Sequence, residues 1–205
     1  LNALQLTPAS YISFLVLYRY YDRRYQALFG NAFSQGSTVQ NEQGVYMGFQ
    51  LTPIARWKLS VYADLFRFPW LKYGIDAPSG GQEYMAQIDY TPSRNYSAYL
   101  RYKYRQKEKN GTFENDNLLK INTCKQHRIR FQQVYNFSSP FIFKTSLDGI
   151  LFDDPIKKLN KGIMISQSIG WKPTTLPLQI DGYLAWFYTD DYNSRVSSYE
   201  KNILY

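Results

Sequence analysis

Hydrophobic and polar residues alternate with a period of two along most of the chain, and residues 96–105 show the pattern most clearly. Successive side chains of a β-strand point to opposite faces, so this segment predicts a strand with one apolar and one cationic face. The apolar parity carries Tyr96, Ala98, Leu100, Tyr102 and Tyr104. The opposite parity carries Ser97, Tyr99, Arg101, Lys103 and Arg105.

The same alternation recurs between clusters of turn-forming residues and predicts an all-β, antiparallel fold of roughly ten strands. Each segment is close to the ~9–11 residues that a tilted strand needs to cross a bilayer. We expect strands at about 10–22, 43–52, 56–67, 82–91, 96–106, 126–136, 141–152, 162–172, 178–189 and 196–205.

Two kinds of connection separate these strands. Short turns, each containing proline, are expected near 52–56, 91–95, 136–140 and 172–177. Long polar loops are expected near 23–41, 68–81, 106–124, 153–161 and 189–195, all within a single domain covering 1–205. Alternation of short turns with long loops is typical of outer-membrane β-barrels, whose two rims differ in this way.

Charged residues of the predicted strands fall almost entirely on one parity, opposite to uninterrupted apolar sets such as Val45, Met47, Phe49 and Leu51. An apolar outside and an ionised inside suit a strand that separates lipid from a hydrated lumen. The predicted lumen charge cluster is Arg101, Lys103, Arg105, Arg128, Arg130, Glu83, Asp89 and Asp148. The predicted lipid-facing and girdle residues are Tyr96, Tyr102, Tyr104, Trp57, Trp186 and Tyr188.

Tight turns at Pro92 and Pro140 would set Glu83 opposite Lys103 and Arg128 opposite Asp148. Both predicted pairs join opposite charges, which favours a lumen closed by ion pairs. The alternative interpretation is an open basic surface that attracts anionic solutes or lipopolysaccharide-type headgroups, or that lines an anion-selective pore.

Composition agrees with a membrane barrel. The 205 residues include 20 Tyr, 13 Phe and 4 Trp, and Tyr and Trp favour the headgroup level of a bilayer. The mean hydropathy of -0.45 fits alternating strands, and no apolar run approaches the ~20 residues of a spanning helix. The net charge of +8 comes from basic residues that lie within strands or beside acids, so we expect no nucleic-acid partner.

Enzymatic activity is not expected, although one catalytic alternative exists. Outer-membrane aspartate-type proteases combine an acidic pair with a His–Asp pair, and this chain offers Asp153-Asp154, Asp190-Asp191 and the single His127. Adjacent aspartates in loops are more commonly turn-formers. One His and one Cys, Cys124, do not make a zinc site, and we expect no cofactor.

Four segments resemble the barrel region of Bacteroidota helix-hairpin-helix domain-containing outer-membrane proteins. They are YRYYDRRYQALFGNAF at 18–33, QNEQGVYMG at 40–48, FRFPWLKYGIDAPS at 66–79 and YTDDYNSRVSSYEK at 188–201. The resemblance implies that the chain is an arc of a larger barrel, with an N-terminal module and the last strands lying outside this sequence. DNA binding, a common property of such modules, would belong to that module and to no residue here.

The sequence therefore predicts a porin-like protein of the Gram-negative outer membrane that acts as a pore or as the barrel subunit of a complex. Its expected partners are the lipid bilayer, lipopolysaccharide and other outer-membrane subunits. The alternative from another class is a soluble or surface β-rich protein that binds carbohydrate or another ligand through exposed Tyr and Trp.

Overall fold

The computed structural model describes residues 1–26, 32–36, 38–112, 119–137, 140–156, 159–173 and 177–197, with only the backbone described at 112, 119 and 120. In this part of the chain, ten antiparallel strands form one sheet in chain order, which confirms the predicted all-β class. The strands are β1 (Asn2–Ala9), β2 (Ile12–Tyr21), β3 (Glu42–Ile54), β4 (Trp57–Phe68), β5 (Ser79–Ser93), β6 (Tyr96–Thr112), β7 (Leu119–Asn136), β8 (Phe141–Asp153), β9 (Asn160–Trp171) and β10 (Ile180–Thr189). A 3₁₀ turn, Tyr192–Ser194, follows β10.

Short and long connections alternate from β1 to β6. Further along the chain, the β9–β10 connection, predicted as a short turn, spans 172–179 and is longer than the β8–β9 connection at 154–159, predicted as a long loop. The turns at 55–56 and 94–95 lie within the predicted ranges, and Arg56 adopts a positive φ of 81° in the first of them. Long connections join β2 to β3 and β4 to β5. Because consecutive strands are antiparallel, the short turns share one rim of the sheet, called here the turn rim, and the long connections share the opposite loop rim.

The N-terminal prediction was incomplete, because the segment predicted as one strand over 10–22 contains the β1–β2 turn. β1 precedes it and pairs with β2 through Asn2 opposite Tyr18 and Ala9 opposite Ile12. The β1 sequence contains Pro8, which cannot donate a ladder hydrogen bond and is tolerated in an edge strand. At the other end, residues 196–197 of the predicted strand 196–205 are not in a strand, and 198–205 lie outside the described residues.

The predicted long loop at 106–124 was wrong for most of its length. β6 and β7 continue through it and pair from Gln106 opposite Lys125 to Thr112 opposite Leu119. Residues 106–112 of this hairpin extension are polar on both faces and so lack the alternation that marks a half-buried strand. Backbone pairing maintains it, together with contacts to the β4–β5 connection and β5 such as Asn110 Nδ2 to Asp76 Oδ2 at 2.8 Å and the Gly80 N–H to Glu108 Oε2 at 2.6 Å. Because its side chains are polar, its sequence resembled that of a loop.

The sheet is open, with β1 and β10 at its two edges. Its two faces have an inverted pattern of burial. Ionised and polar side chains are buried on what we call the polar face, as shown by Arg19, Glu42, Asp64, Glu83, Ser146, Asp148 and Ser166. Large apolar side chains are exposed on what we call the apolar face, as shown by Phe14, Val16, Met47, Ile88, Leu100, Ile129, Leu147 and Ile165. Among the described residues, no helix has the length and apolarity to cross a membrane.

Candidate functional site on the polar face

A guanidinium and two carboxylates form a fully buried cluster near the loop rim. Arg19 on β2 donates from Nε to Glu42 Oε1 at 2.5 Å and from Nη1 to Asp64 Oδ1 at 2.7 Å. A second bond from Nη2 to Asp64 Oδ2, at 3.2 Å, makes the Arg19–Asp64 contact bidentate. Buried charges require such pairing because each has lost its water.

Strand register explains how Arg19 reaches across β3 to a residue of β4. The residue opposite Arg19 on β3 is Gly44. A Cβ built at Gly44 would lie 2.6 Å from Arg19 Cζ, so only glycine leaves space for the guanidinium over the backbone of β3. The Arg19–Asp64 contact therefore depends on glycine at position 44, in the strand between them.

Residues 32–36 of the β2–β3 connection cover this cluster. Glu42 Oε2 accepts hydrogen bonds from Ser34 Oγ at 2.7 Å, from the backbone N–H of Gln35 at 2.9 Å and from that of Gly36 at 3.1 Å. The Arg19 guanidinium also lies 5.0 Å from the centre of the Phe33 ring. The covering segment supplies donors that the strands lack, so the Glu42 carboxylate is satisfied without water.

Gln35 extends the cover across the polar face to β6. Its Nε2 donates to Asp64 Oδ2 at 2.7 Å, and its Oε1 accepts from Arg105 Nη2 at 3.4 Å. The backbone carbonyl of Gln35 accepts from Lys107 Nζ at 3.1 Å. Beside this segment, burial lowers the pKa of Lys72 on the β4–β5 connection, an effect that Glu42 partly opposes. Contacts from β2 to β6 therefore converge on five residues of one connection.

Glu83 is the centre of the second cluster. Its carboxylate accepts from Lys103 Nζ at 2.8 Å, from Arg105 Nε at 2.5 Å and from Tyr62 Oη at 2.6 Å. The predicted ion pair with Lys103 is present, but the predicted register is wrong, because Arg105 lies directly opposite Glu83. The turn is centred on 94–95 instead of at Pro92, and beyond the irregularity between Tyr90 and Ser93 the register differs from the predicted one by two residues.

Asp148 is the centre of the third cluster and shows the same two-residue shift. It lies opposite Arg130, whose Nε donates to Asp148 Oδ1 at 2.6 Å. Arg128, the predicted cross-strand partner, lies opposite Ile150 and reaches Asp148 Oδ1 diagonally at 3.2 Å. A shift of two residues preserves the face of every side chain, which is why the predicted ion pairs form despite the incorrect register.

Arg101 and Asp89, the other two predicted lumen residues, are connected through Gln87. Arg101 Nε donates to Gln87 Oε1 at 2.6 Å, and Gln87 Nε2 donates to Asp89 Oδ1 at 2.7 Å. Asp89 Oδ2 is buried and has no hydrogen-bond partner among the described residues.

The Arg19 cluster was not predicted from the sequence. Arg19 and Asp64 are 45 positions apart and lie on strands that are not neighbours. The available signal was parity: Arg19 and Gly44 lie on the polar parity of two alternating runs. Pairing arguments confined to single hairpins do not detect a contact that crosses a strand.

The six predicted girdle residues lie on the apolar face. The ring centres of Trp57 and Tyr90 are 4.4 Å apart, with the rings tilted, and those of Tyr96 and Tyr135 are 6.2 Å apart. Both pairs lie close to the turn rim. Tyr104 lies further towards the loop rim, 6.2 Å from Tyr84 and 5.0 Å from the His127 ring. The remaining predicted residues are exposed at 41% for Tyr102, 57% for Trp186 and 56% for Tyr188.

The groups considered for catalysis lie in different surroundings. His127 is on the apolar face, where its Nδ1 is 2.8 Å from Tyr102 Oη. Asp190 accepts from the backbone N–H of Lys161 at 2.8 Å, and Asp191 caps the 3₁₀ turn. In the described ranges, no group of three or more His, Cys, Asp or Glu side chains is arranged to hold a metal ion.

We compared the chain with protein-family models, with curated proteins and with solved structures, and none of these comparisons gives a match.

Proposed function

We propose that this chain forms part of an outer-membrane β-barrel and acts as a structural or transport component of that membrane. The observation that carries the proposal is the inverted burial of the sheet. Arg19, Glu42 and Asp64 are fully buried, whereas Leu100 and Ile129 on the opposite face are 48% and 53% exposed. Water favours the reverse arrangement, and a lipid exterior with a polar interior favours this one.

The spacing of the aromatic pairs supports the same placement. Tyr96 and Tyr104 are eight positions apart on one face of β6, which corresponds to about 26 Å along a strand. A strand tilted by about 40° would separate them by about 20 Å along the membrane normal, close to the ~25 Å apolar band of outer-membrane barrels. Leu100 lies between them, in the middle of the band.

The open sheet edges are consistent with an arc of a larger barrel. Unpaired backbone groups at β1 and β10 would be costly in hydrocarbon, so a membrane-inserted form requires both edges to be paired, as further strands of a larger barrel would do. Membership of the helix-hairpin-helix outer-membrane family, which the sequence resembles, stays a prediction. We propose lipid and other outer-membrane subunits as the partners.

Between pore and scaffold, the polar face favours the scaffold. Glu83 and Asp148 each join two cations, and residues 32–36 lie across the face from β2 to β6. A lumen filled in this way leaves less space for solute passage near β2 to β6. Bilayer conductance of the full chain distinguishes the two roles, because a scaffold gives no steady channel current.

A pair of matched substitutions tests the membrane placement. Leu100→Arg introduces a charge in the middle of the apolar face, and Leu71→Arg introduces it on the β4–β5 connection, where the leucine is 52% exposed. In lipid, Leu100→Arg is expected to cost about 2–4 kcal/mol and to lower the folded, inserted fraction, whereas Leu71→Arg has little effect. Insertion into vesicles is measured by heat-dependent mobility in SDS gels.

The soluble alternative makes the opposite prediction. If both leucines faced water, their similar exposure would make replacement by arginine equally tolerated at the two positions. An equal folded fraction for the two variants would therefore contradict the membrane proposal. Purification of the full chain as a monodisperse monomer without detergent would also contradict it.

A further inference from the structure

A cavity of about 450 Å³ opens on the polar face near the loop rim. β6, β7 and β8 form its floor, and residues 192–197 form one wall. Five of its lining side chains are cationic, and no acidic side chain of the described residues lines it. The cations are Arg105, Lys107, Lys109, Arg128 and Arg195.

Nearby carboxylates do not balance this charge. Glu83 contacts Arg105 but is shared with Lys103, and Asp148 contacts Arg128 but is shared with Arg130. These two carboxylates therefore meet four cations, and Lys107, Lys109 and Arg195 add three more around the same space. Asp153 ends β8 and Asp154 follows it, but neither lines the cavity, and counting both still leaves these cations in excess.

Two aromatic rings complete the cavity. The ring centre of Phe152 lies 5.2 Å from Lys109 Nζ, and that of Tyr192 lies 4.0 Å from Arg195 Cζ. Tyr192 is 70% exposed. These rings hold two of the cations beside the cavity while leaving their N–H groups able to donate. The exposed Tyr192 ring also offers a flat apolar surface of the kind on which a sugar ring packs.

We propose that this cavity binds a phosphorylated sugar. Arginine and lysine together are the usual partners of phosphate oxygens, and the excess of cations calls for a ligand with more than one negative charge. A volume of about 450 Å³ lies within the range of small-molecule sites. The ligand has two possible sources, a free sugar phosphate or the phosphorylated headgroup of a glycolipid.

This inference goes beyond the proposed membrane role and is tested separately from it. Binding is measured by calorimetric titration of the detergent-folded full chain at low ionic strength, so it does not require insertion into a bilayer. The probes are glucose 1,6-bisphosphate, glucose as the uncharged control, and a bisphosphorylated glucosamine lipid in mixed micelles.

The test variant is Lys109→Gln/Arg195→Gln, which removes two exposed cations from the cavity. Its control is Lys58→Gln/Lys144→Gln, which removes two exposed cations that do not line the cavity and so gives the same net charge. The single variant Lys109→Gln provides a second measurement that does not depend on folding of the double variant.

We expect saturable binding of a phosphorylated probe and none of glucose. The cavity variant should weaken that binding about tenfold or more, and the control variant should change it little, because charge-assisted hydrogen bonds act only at contact. Binding of the free bisphosphate identifies a soluble source, and binding of the lipid alone identifies a headgroup. Absence of binding to both phosphorylated probes, or equal weakening by both double variants, would overturn the proposal.

Discussion

Replacing Arg19 by methionine should strongly destabilise the folded chain. The substitution keeps an unbranched apolar stem but removes the guanidinium that contacts Glu42 and Asp64. Both carboxylates are fully buried, so neither contacts bulk water in the fold. The variant must therefore either bury two uncompensated charges or protonate them.

Breaking a buried ion pair by removing one partner costs about 3–5 kcal/mol. We expect the cost of Arg19→Met to fall within this range. Asp64 would keep only the hydrogen bond from Gln35, which leaves its charge poorly compensated. Glu42 would keep its bonds from residues 34–36, which limit the loss. Lys103→Met is the control. It also removes a cation from a buried carboxylate, but Glu83 keeps Arg105 and Tyr62, and the Lys103 side chain is 30% exposed. Its expected cost is about 0–1 kcal/mol.

Equilibrium urea unfolding in detergent, followed by tryptophan fluorescence, measures both variants. With a slope of about 2 kcal/mol per molar urea, a loss of about 4 kcal/mol lowers the midpoint by about 2 M. The triple variant Arg19→Met/Glu42→Gln/Asp64→Asn should recover much of that loss, because no buried charge remains. A midpoint for Arg19→Met equal to that of Lys103→Met would refute the reasoning. A triple variant as unstable as Arg19→Met would assign the loss to packing instead of charge.

Two further substitutions test the geometry around Arg19. Gly44→Ala places a Cβ 2.6 Å from Arg19 Cζ and should lower the urea midpoint, whereas Gly149→Ala meets no atom within 4 Å and should leave it unchanged or slightly higher. An equal effect of the two alanines would contradict the role given to Gly44. Gln35→Ala removes the side-chain bonds to Asp64 and Arg105, so residues 32–36 should become more sensitive to protease in the folded protein. Unchanged cleavage kinetics would show that the backbone bonds alone hold this segment.

Strand positions and faces could be predicted because alternation is a local property. The parity of Glu83, Lys103, Arg105 and Asp148 follows from the period of two, and all four lie on the predicted face. Register was less predictable, because it depends on where a turn is centred and on irregularities such as that between Tyr90 and Ser93. Errors of two residues leave the face unchanged, so the ion pairs survived the error.

The β6–β7 extension shows where the local signal fails. Residues 106–112 are polar on both parities, and a strand without an apolar face cannot be distinguished from a loop by periodicity. Backbone pairing with β7 decides the structure of this segment. The same limitation hid β1, whose alternation is short and includes Pro8.

The sequence by itself determined the all-β class, the hairpin order and the division into an apolar and a charged face, because these follow from side-chain period and turn chemistry. Only the tertiary structure decided the register of the charge pairs and the contacts that cross a strand. Arg19 reaches Asp64 because Gly44 has no side chain to block the guanidinium over β3. Residues 32–36 cover the pair because their N–H and O–H groups donate to the Glu42 carboxylate. Such contacts join residues that are distant along the chain, and their energy depends on burial that the folded sheet alone creates.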